Sequence, residues 1–187
     1  MIFNRLYITI AATLVFTLPM KSTASHCVET TWNKALILQQ EIEVWYNEKA
    51  RNFNDFLNSH RQTTLLHKKY TQSELVALIQ SSNDSEQKQI RQQLKISEQT
   101  VAMLQGEVKR ISEQSDQVKI AYANWASIYD HCNQAGLAIN SSSSQRYMQL
   151  NQEILSDTKN LLSKYKFLLG IYNQEVKALK MQQITIK

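Results

Sequence analysis

Each of the chain's two cysteines directly follows a histidine, as His26-Cys27 and His131-Cys132. Thiolates and imidazoles are preferred ligands of zinc and copper, and two of each would fill a tetrahedral shell. The competing chemistry is oxidation. Two cysteines of an exported chain commonly pair, and an oxidised pair has no thiolate to offer a metal. Residues adjacent in sequence also chelate one ion awkwardly. The expectation is a structural disulfide between Cys27 and Cys132. A metal site at His26, Cys27, His131 and Cys132 is the weaker alternative. The other histidines, His60 and His67, stand seven apart and can share a helix face. No acidic residue is placed to complete a site with them, so surface imidazoles are expected. No cofactor is expected.

Other reactive constellations are missing from the sequence. It holds no nucleophile elbow, phosphate-binding loop, metalloprotease helix or calcium loop. Its three glycines cannot build a phosphate cradle. Glu41 and Glu43 are two apart on a helix and point to different faces. Catalysis also wants a concave pocket, which a slender bundle seldom offers. No enzyme is expected.

Helices must carry these residues. The chain has 187 residues, 43% apolar and 20% charged, with only three Gly and one Pro. That length suits one domain. Sandwiches, barrels and doubly wound sheets need many loops, and loops need Gly and Pro. Met1–Ala24 reads as a secretory leader. Arg5 supplies its positive charge, Leu6–Met20 is an uncharged, largely apolar stretch of 15 residues, and Pro19 ends it. Ser22-Thr23-Ala24 offers a cleavage site after Ala24. The stretch is short for a membrane span of ~20 residues; retention as an anchor is the alternative. His26 before Cys27 departs from the small residues a lipoprotein signal requires. The expected location is periplasmic or secreted, with no stable membrane span after cleavage. Removing Arg5 and Lys21 lowers the formal charge from +5 to +3. That is too weak to argue for nucleic acid. Pro19 leaves as well, so residues 25–187 have no proline to break a helix.

Within that domain the strongest signal is a heptad run. Steps of four and three from Ile90 visit Leu94, Ser97, Val101, Leu104, Val108, Ile111, Ser115, Val118, Tyr122, Trp125, Tyr129 and Cys132. Ten of the first twelve positions are apolar, and both exceptions are Ser. A 3.5-residue period held this long is a coiled-coil seam. Asn83 with Glu86 resembles a capping box, which predicts a helix over 84–132. Gly106 inside it is a weak point or a close-approach site. Lys95–Gln99 recurs as Arg110–Gln114, but 15 residues on, out of heptad phase; no structural repeat follows. Ahead of it, Ala35, Leu38, Ile42, Trp45, Phe53, Phe56 and Leu57 mark a first helix, capped by Thr30 or Thr31. The pattern thins from Ser59 to Lys69, and Thr71-Gln72-Ser73-Glu74 then forms a capping box. Residues 30–82 are thus either one long interrupted helix or a long helix plus a short one. A third helix is expected over 144–182, after Ser141–Ser144. Its Leu155, Leu162, Leu169 and Val176 repeat at seven, with Thr158, Tyr165, Tyr172 and Leu179 interleaved and Ile154, Leu161 and Leu168 widening the face. Three apolar positions per heptad suit packing against two neighbours.

These pieces predict an all-α fold, an elongated antiparallel three-helix bundle. A turn at 81–84 leaves 54 residues back to Cys27 and 48 forward to Cys132. Antiparallel pairing then brings the cysteines together, so cysteine position and helix pattern agree. The aromatics read mainly as core. Trp32 and Tyr46, which miss the seam, can also form a binding patch. The most apolar stretch, Tyr165–Tyr172, is too short to span a bilayer and can leave a strip for a partner helix. At the turn end the first helix loses its seam, so Leu65, Leu66, Tyr70, Leu75, Val76 and Leu78 either stand accessible to a partner or cap the core. The expected function is that of an exported interaction or structural subunit of an envelope, secretion or pilus-type assembly. The alternative is a periplasmic holdase chaperone for unfolded envelope proteins. Expected partners are other envelope proteins or a second copy of the chain, and not nucleic acid.

Overall fold

Asn83 starts the longest element. Its side-chain oxygen accepts from the Ser85 and Glu86 amides at 3.0 and 3.4 Å, an N-cap. Nothing in the next 51 residues breaks α4, Asp84–Gln134. At 1.5 Å per residue it runs about 76 Å. In the computed structural model residues 27–184 are described. The expected leader Met1–Ala24 and His26 lie outside them. The other helices are α1 (Glu29–Gln62), α2 (Leu66–Lys69), α3 (Gln72–Gln80) and α5 (Ala138–Ile184). The fold is all-α.

The link from α4 to α5 is a Schellman turn. Gly136 takes φ 71°, a region that only glycine enters freely. Its amide donates to Asn133, and that of Leu137 donates to the Cys132 carbonyl at 2.9 Å. This closes the last turn of α4. The turn is tight enough that α5 starts at Ala138, six residues before the expected 144. Ser141–Ser144 therefore lie inside the helix. The hydroxyls of Ser141 and Ser144 bond back to the carbonyls of Ala138 and Asn140. Such back-bonding lets serine sit in a helix. Both are buried, and their small side chains let α5 lie close to α4.

α4 and α5 run antiparallel along their length, with Trp125 against Tyr147 near the turn and Leu94 against Leu179 at the far end. α1 lies along this pair, parallel to α5 and farther from both helices. The order is up-down-up, as the sequence implies. The α4 seam is a column at seven-residue spacing. Ser97, Leu104, Ile111, Val118, Trp125 and Cys132 all show 0% exposure. Past Ser115 the companion positions slide. Ala121 and Ile128 are buried, and Tyr122 and Tyr129, which were expected there, are half-buried. In α5 the centre and the flank exchange roles. Thr158, Tyr165, Tyr172 and Leu179 are buried with Ile154, Leu161 and Leu168, while Leu155, Leu162, Leu169 and Val176 are only half-buried. A Cβ at Gly106 would meet only the side chain of Arg110. Gly106 is thus a weak point and not a close-approach site. α1 begins at Val28 with no side-chain cap, so neither Thr30 nor Thr31 caps it.

Among the buried rings, Tyr165 packs edge-on against Phe53 at 4.9 Å. Burial pushes its hydroxyl pKa up to about 12, and the nearby Glu107 carboxylate adds to the shift. The folded protein holds this proton more tightly than the unfolded chain does. Full stability is therefore expected below pH 10, with progressive loss as the pH rises towards 12. Burial raises Tyr46 and Tyr172 in the same direction. Urea titrations across that window check the sign, and Tyr165→Phe should flatten the loss. An unaltered pH profile in that variant would remove Tyr165 as its source.

Candidate functional site

The two ends of the bundle are built differently. At one end, Cys27 and Cys132 form a disulfide with Cα atoms 5.6 Å apart. Cys132 is fully buried among Ala35, Trp125 and Ile128, with Trp32, Leu36, Tyr147 and Met148 packed around them. Trp125 stacks on Tyr147 at 4.3 Å and meets the edge of Trp32 at 5.2 Å. Trp32, a candidate patch residue, is thus part of the core rim. Tyr46 is likewise half-buried against two apolar clusters. Both sulfurs of the alternative metal site are tied up in the disulfide. The Nδ1 of His131 lies 2.7 Å from the Ser127 carbonyl and donates to it. Among the described residues no three His, Cys, Asp or Glu side chains converge.

About two turns along α4 from Cys132 lies a polar layer with one residue from each long helix. The Gln39 Oε1 accepts from Trp125 Nε1 at 3.1 Å and from Asn151 Nδ2 at 2.6 Å. Gln39 and Asn151 show 2% and 0% exposure. Sequence reasoning missed both. The available signal was their place in apolar columns: Gln39 falls four after Ala35 and three before Ile42, and Asn151 falls seven before Thr158.

The turn end holds a buried carboxylate. Glu175 of α5 shows 0% exposure. Its Oε1 accepts from the Leu66 amide at 2.8 Å and from Gln93 Nε2 at 3.2 Å. Its Oε2 accepts from the His67 amide at 2.8 Å and from His67 Nδ1 at 2.6 Å. The sequence reading found no acid for His67. The acid comes from 108 residues away, which no local spacing reveals. Glu175 does continue the column Ile154, Leu161, Leu168, and that was the usable clue. His60 is apart from His67. Its Nδ1 meets the Tyr172 hydroxyl at 3.1 Å, and burial followed by the Lys68 charge lowers its pKa.

Of the six residues read as either a binding tip or a core cap, Leu66 gives its amide to this carboxylate. Leu65 and Leu75 are 4% and 2% exposed, and α3 turns its Leu75 and Ile79 onto Ile90, Leu94 and Leu179. Leu66, Tyr70 and Leu78 pack half-buried against the same cluster, and Val76 is half-buried. Accessible apolar side chains are therefore corrected to core for Leu65 and Leu75. The reason is that the seam lost by α1 is taken over by α2 and α3, a change of element that a heptad count reads as a gap. The capping box at Thr71 and Glu74 forms as expected.

Exposed large apolar side chains are spread along the rod, Ile37, Val44, Ile120 and Phe167 among them, and three of them stand at the disulfide end. Val28, Leu137 and Ile139 are 44%, 43% and 83% exposed. They flank Cys27 and the turn that follows Cys132. Beside them a cavity of about 710 Å³ opens between α1 and α5, floored by Trp32, Leu36, Tyr147 and Leu150 with Arg146 and Glu153 at its rim. No helix among the described residues is long and apolar enough to cross a membrane. Comparison of the chain with protein-family models, with curated proteins and with solved structures finds no match.

Proposed function

We propose that the chain is an exported helical interaction rod, an accessory subunit of an envelope, secretion or pilus-type assembly that docks other proteins through its disulfide end. The observation that carries this reading is the uncovered apolar group Val28, Leu137 and Ile139 beside the cavity. They differ from the exposed apolar residues farther along the rod in lying at one end of it, next to the two bonded cysteines and the α4–α5 turn, where a partner can cover all three. The leader-like Met1–Ala24 and the disulfide support export. The basic balance that favours a holdase is small, and a client-binding arm would leave its seam open, whereas this seam is closed.

Leu137→Glu and Ile139→Glu change exposed positions, so both variants should keep the helical circular dichroism signal and the melting temperature. Capture of envelope proteins by the mature chain should fall at least ~10-fold, the equivalent of ~1.4 kcal/mol. Undiminished capture by the double variant with an intact fold would mean that binding lies elsewhere.

A further inference from the structure

Residues 63–83 differ from the rest of the bundle in how they are held. Two short helices, α2 and α3, lie between non-helical joints at 63–65 and 81–83. A helix of nine residues, the length of α3, is marginal on its own. It sits on α4 and α5 through Leu75 and Ile79, four residues apart, which cover Ile90, Leu94 and Leu179. The first half of the segment is held by Leu65, buried in the core cluster with Leu104 and Tyr172, and by polar bonds to one side chain. Three of the four donors to the buried Glu175 carboxylate come from Leu66 and His67. The fourth, Gln93, also reaches the Thr64 carbonyl at 3.4 Å. At the second joint the Gln87 amide donates to the Ser81 carbonyl at 2.8 Å.

We propose that residues 63–83 form a latched strap, that Glu175 is its latch, and that the strap lifts as a unit to expose Ile90, Leu94 and Leu179 as a groove for a short amphipathic helix of another protein. Three observations carry this. A buried carboxylate contributes less net stability than its contacts suggest, because closing the strap strips its water and opening restores it. The ends of the bundle are unequal, since a covalent bond fixes the disulfide end while hydrogen bonds and one small apolar cluster close the other. Segments so held are the ones that open below the global unfolding free energy. The occupant follows from α3, which already shows what fits the groove: an aliphatic pair at i and i+4 on one helical face. The nature of the occupant rests on reading the chain as an interaction protein; the lifting of the strap does not.

Hydrogen exchange followed by mass spectrometry, on the full disulfide-bonded protein, needs no partner. Peptides within 64–82 should exchange at least ~10-fold faster than those covering Leu104–Val118. Glu175→Gln puts an NH₂ donor where one carboxylate oxygen met two donors. It should speed exchange of the strap by a further ~10-fold or more and leave 104–118 unchanged. If that variant fails to fold, Gln93→Ala removes one of the four donors to Glu175 and the contact with the Thr64 carbonyl, and should speed the same peptides to a smaller extent. Strap exchange as slow as the core, or acceleration spread evenly over the chain, overturns the latch. A synthetic peptide of residues 71–82 then probes the groove. It should bind Glu175→Gln at least ~10-fold more tightly than the wild-type chain, since only the variant opens often. Equal binding to both, or to neither, overturns the groove, a result distinct from failed capture at the disulfide end.

Discussion

Replacing Cys27 by Ser and Cys132 by Ala is expected to lower stability by about 4–5 kcal/mol, which makes it one of the two largest effects foreseen for this chain. The bond joins residues 105 apart, and on the chain-entropy model a loop of ~100 residues stabilises by roughly 4.7 kcal/mol. For a chain of this size that is a fall in melting temperature of about 10–15 °C. The choice of substitutes matters. Cys132 shows 0% exposure, and a serine hydroxyl there would add a desolvation penalty unrelated to the bond. Cys27 is half-buried and takes a hydroxyl at little cost. The loss should fall unevenly. α1 has no side-chain cap at its start and stands off from the α4–α5 pair, so its first turns should fray, and the Trp32–Trp125 contact with them. α4 and α5 keep their shared column and their helical signal. A melting temperature within ~2 °C of the intact protein would mean that packing alone fixes α1 and that the bond is redundant.

The elements and their order were legible because they depend on local arithmetic. A seven-residue column in α4 needs no knowledge of its neighbours, and two cysteines at matching distances from one turn define a hairpin. What escaped was set by pairs distant in sequence. Leu65 and Leu75 could be read as tip or core because their partners lie in other helices, Leu104 and Tyr172 for Leu65, Ile90 and Leu179 for Leu75. Glu175 and Gln39 drew no attention in the sequence, since charged and amide residues are usually solvated. Their burial becomes sensible only when donors arrive from elsewhere: Leu66, His67 and Gln93 for the carboxylate, Trp125 and Asn151 for the amide. The start of α5 was misplaced because four consecutive serines read as a loop, and their back-bonds to the helix backbone are invisible in composition. The candidate contact surface at Val28, Leu137 and Ile139 escaped too. Three aliphatics beside a turn say nothing until the turn is seen to leave them uncovered.

Trp125→Ala should match the disulfide in effect. Truncating a fully buried Trp to Ala costs ~3–5 kcal/mol through lost burial and the cavity left behind. Two further losses place this residue at the upper end. The stacked Tyr147 at 4.3 Å and the edge-on Trp32 at 5.2 Å lose their shared partner. Gln39, buried at 2% exposure, loses one of the two donors to its oxygen. Trp125→Phe separates these contributions. It keeps an aromatic ring but removes the indole N–H together with the volume of the second ring, and Gln39 still accepts from Asn151 at 2.6 Å. Its cost should be ~1–2 kcal/mol. Adding Gln39→Leu to Trp125→Phe completes a double-mutant cycle. With α1, α4 and α5 each contributing one member to the layer, the coupling should reach ~0.5–3 kcal/mol. A layer of this kind opposes sliding, because a shift of α1 along the pair by one turn would part the Gln39 oxygen from Trp125 Nε1 and Asn151 Nδ2, at a cost of ~1–3 kcal/mol for each buried group left unpaired. Urea unfolding of the four proteins of the cycle measures the coupling. A value indistinguishable from zero would mean that the three side chains share a level of the bundle without holding it in register, and that the disulfide alone aligns α1.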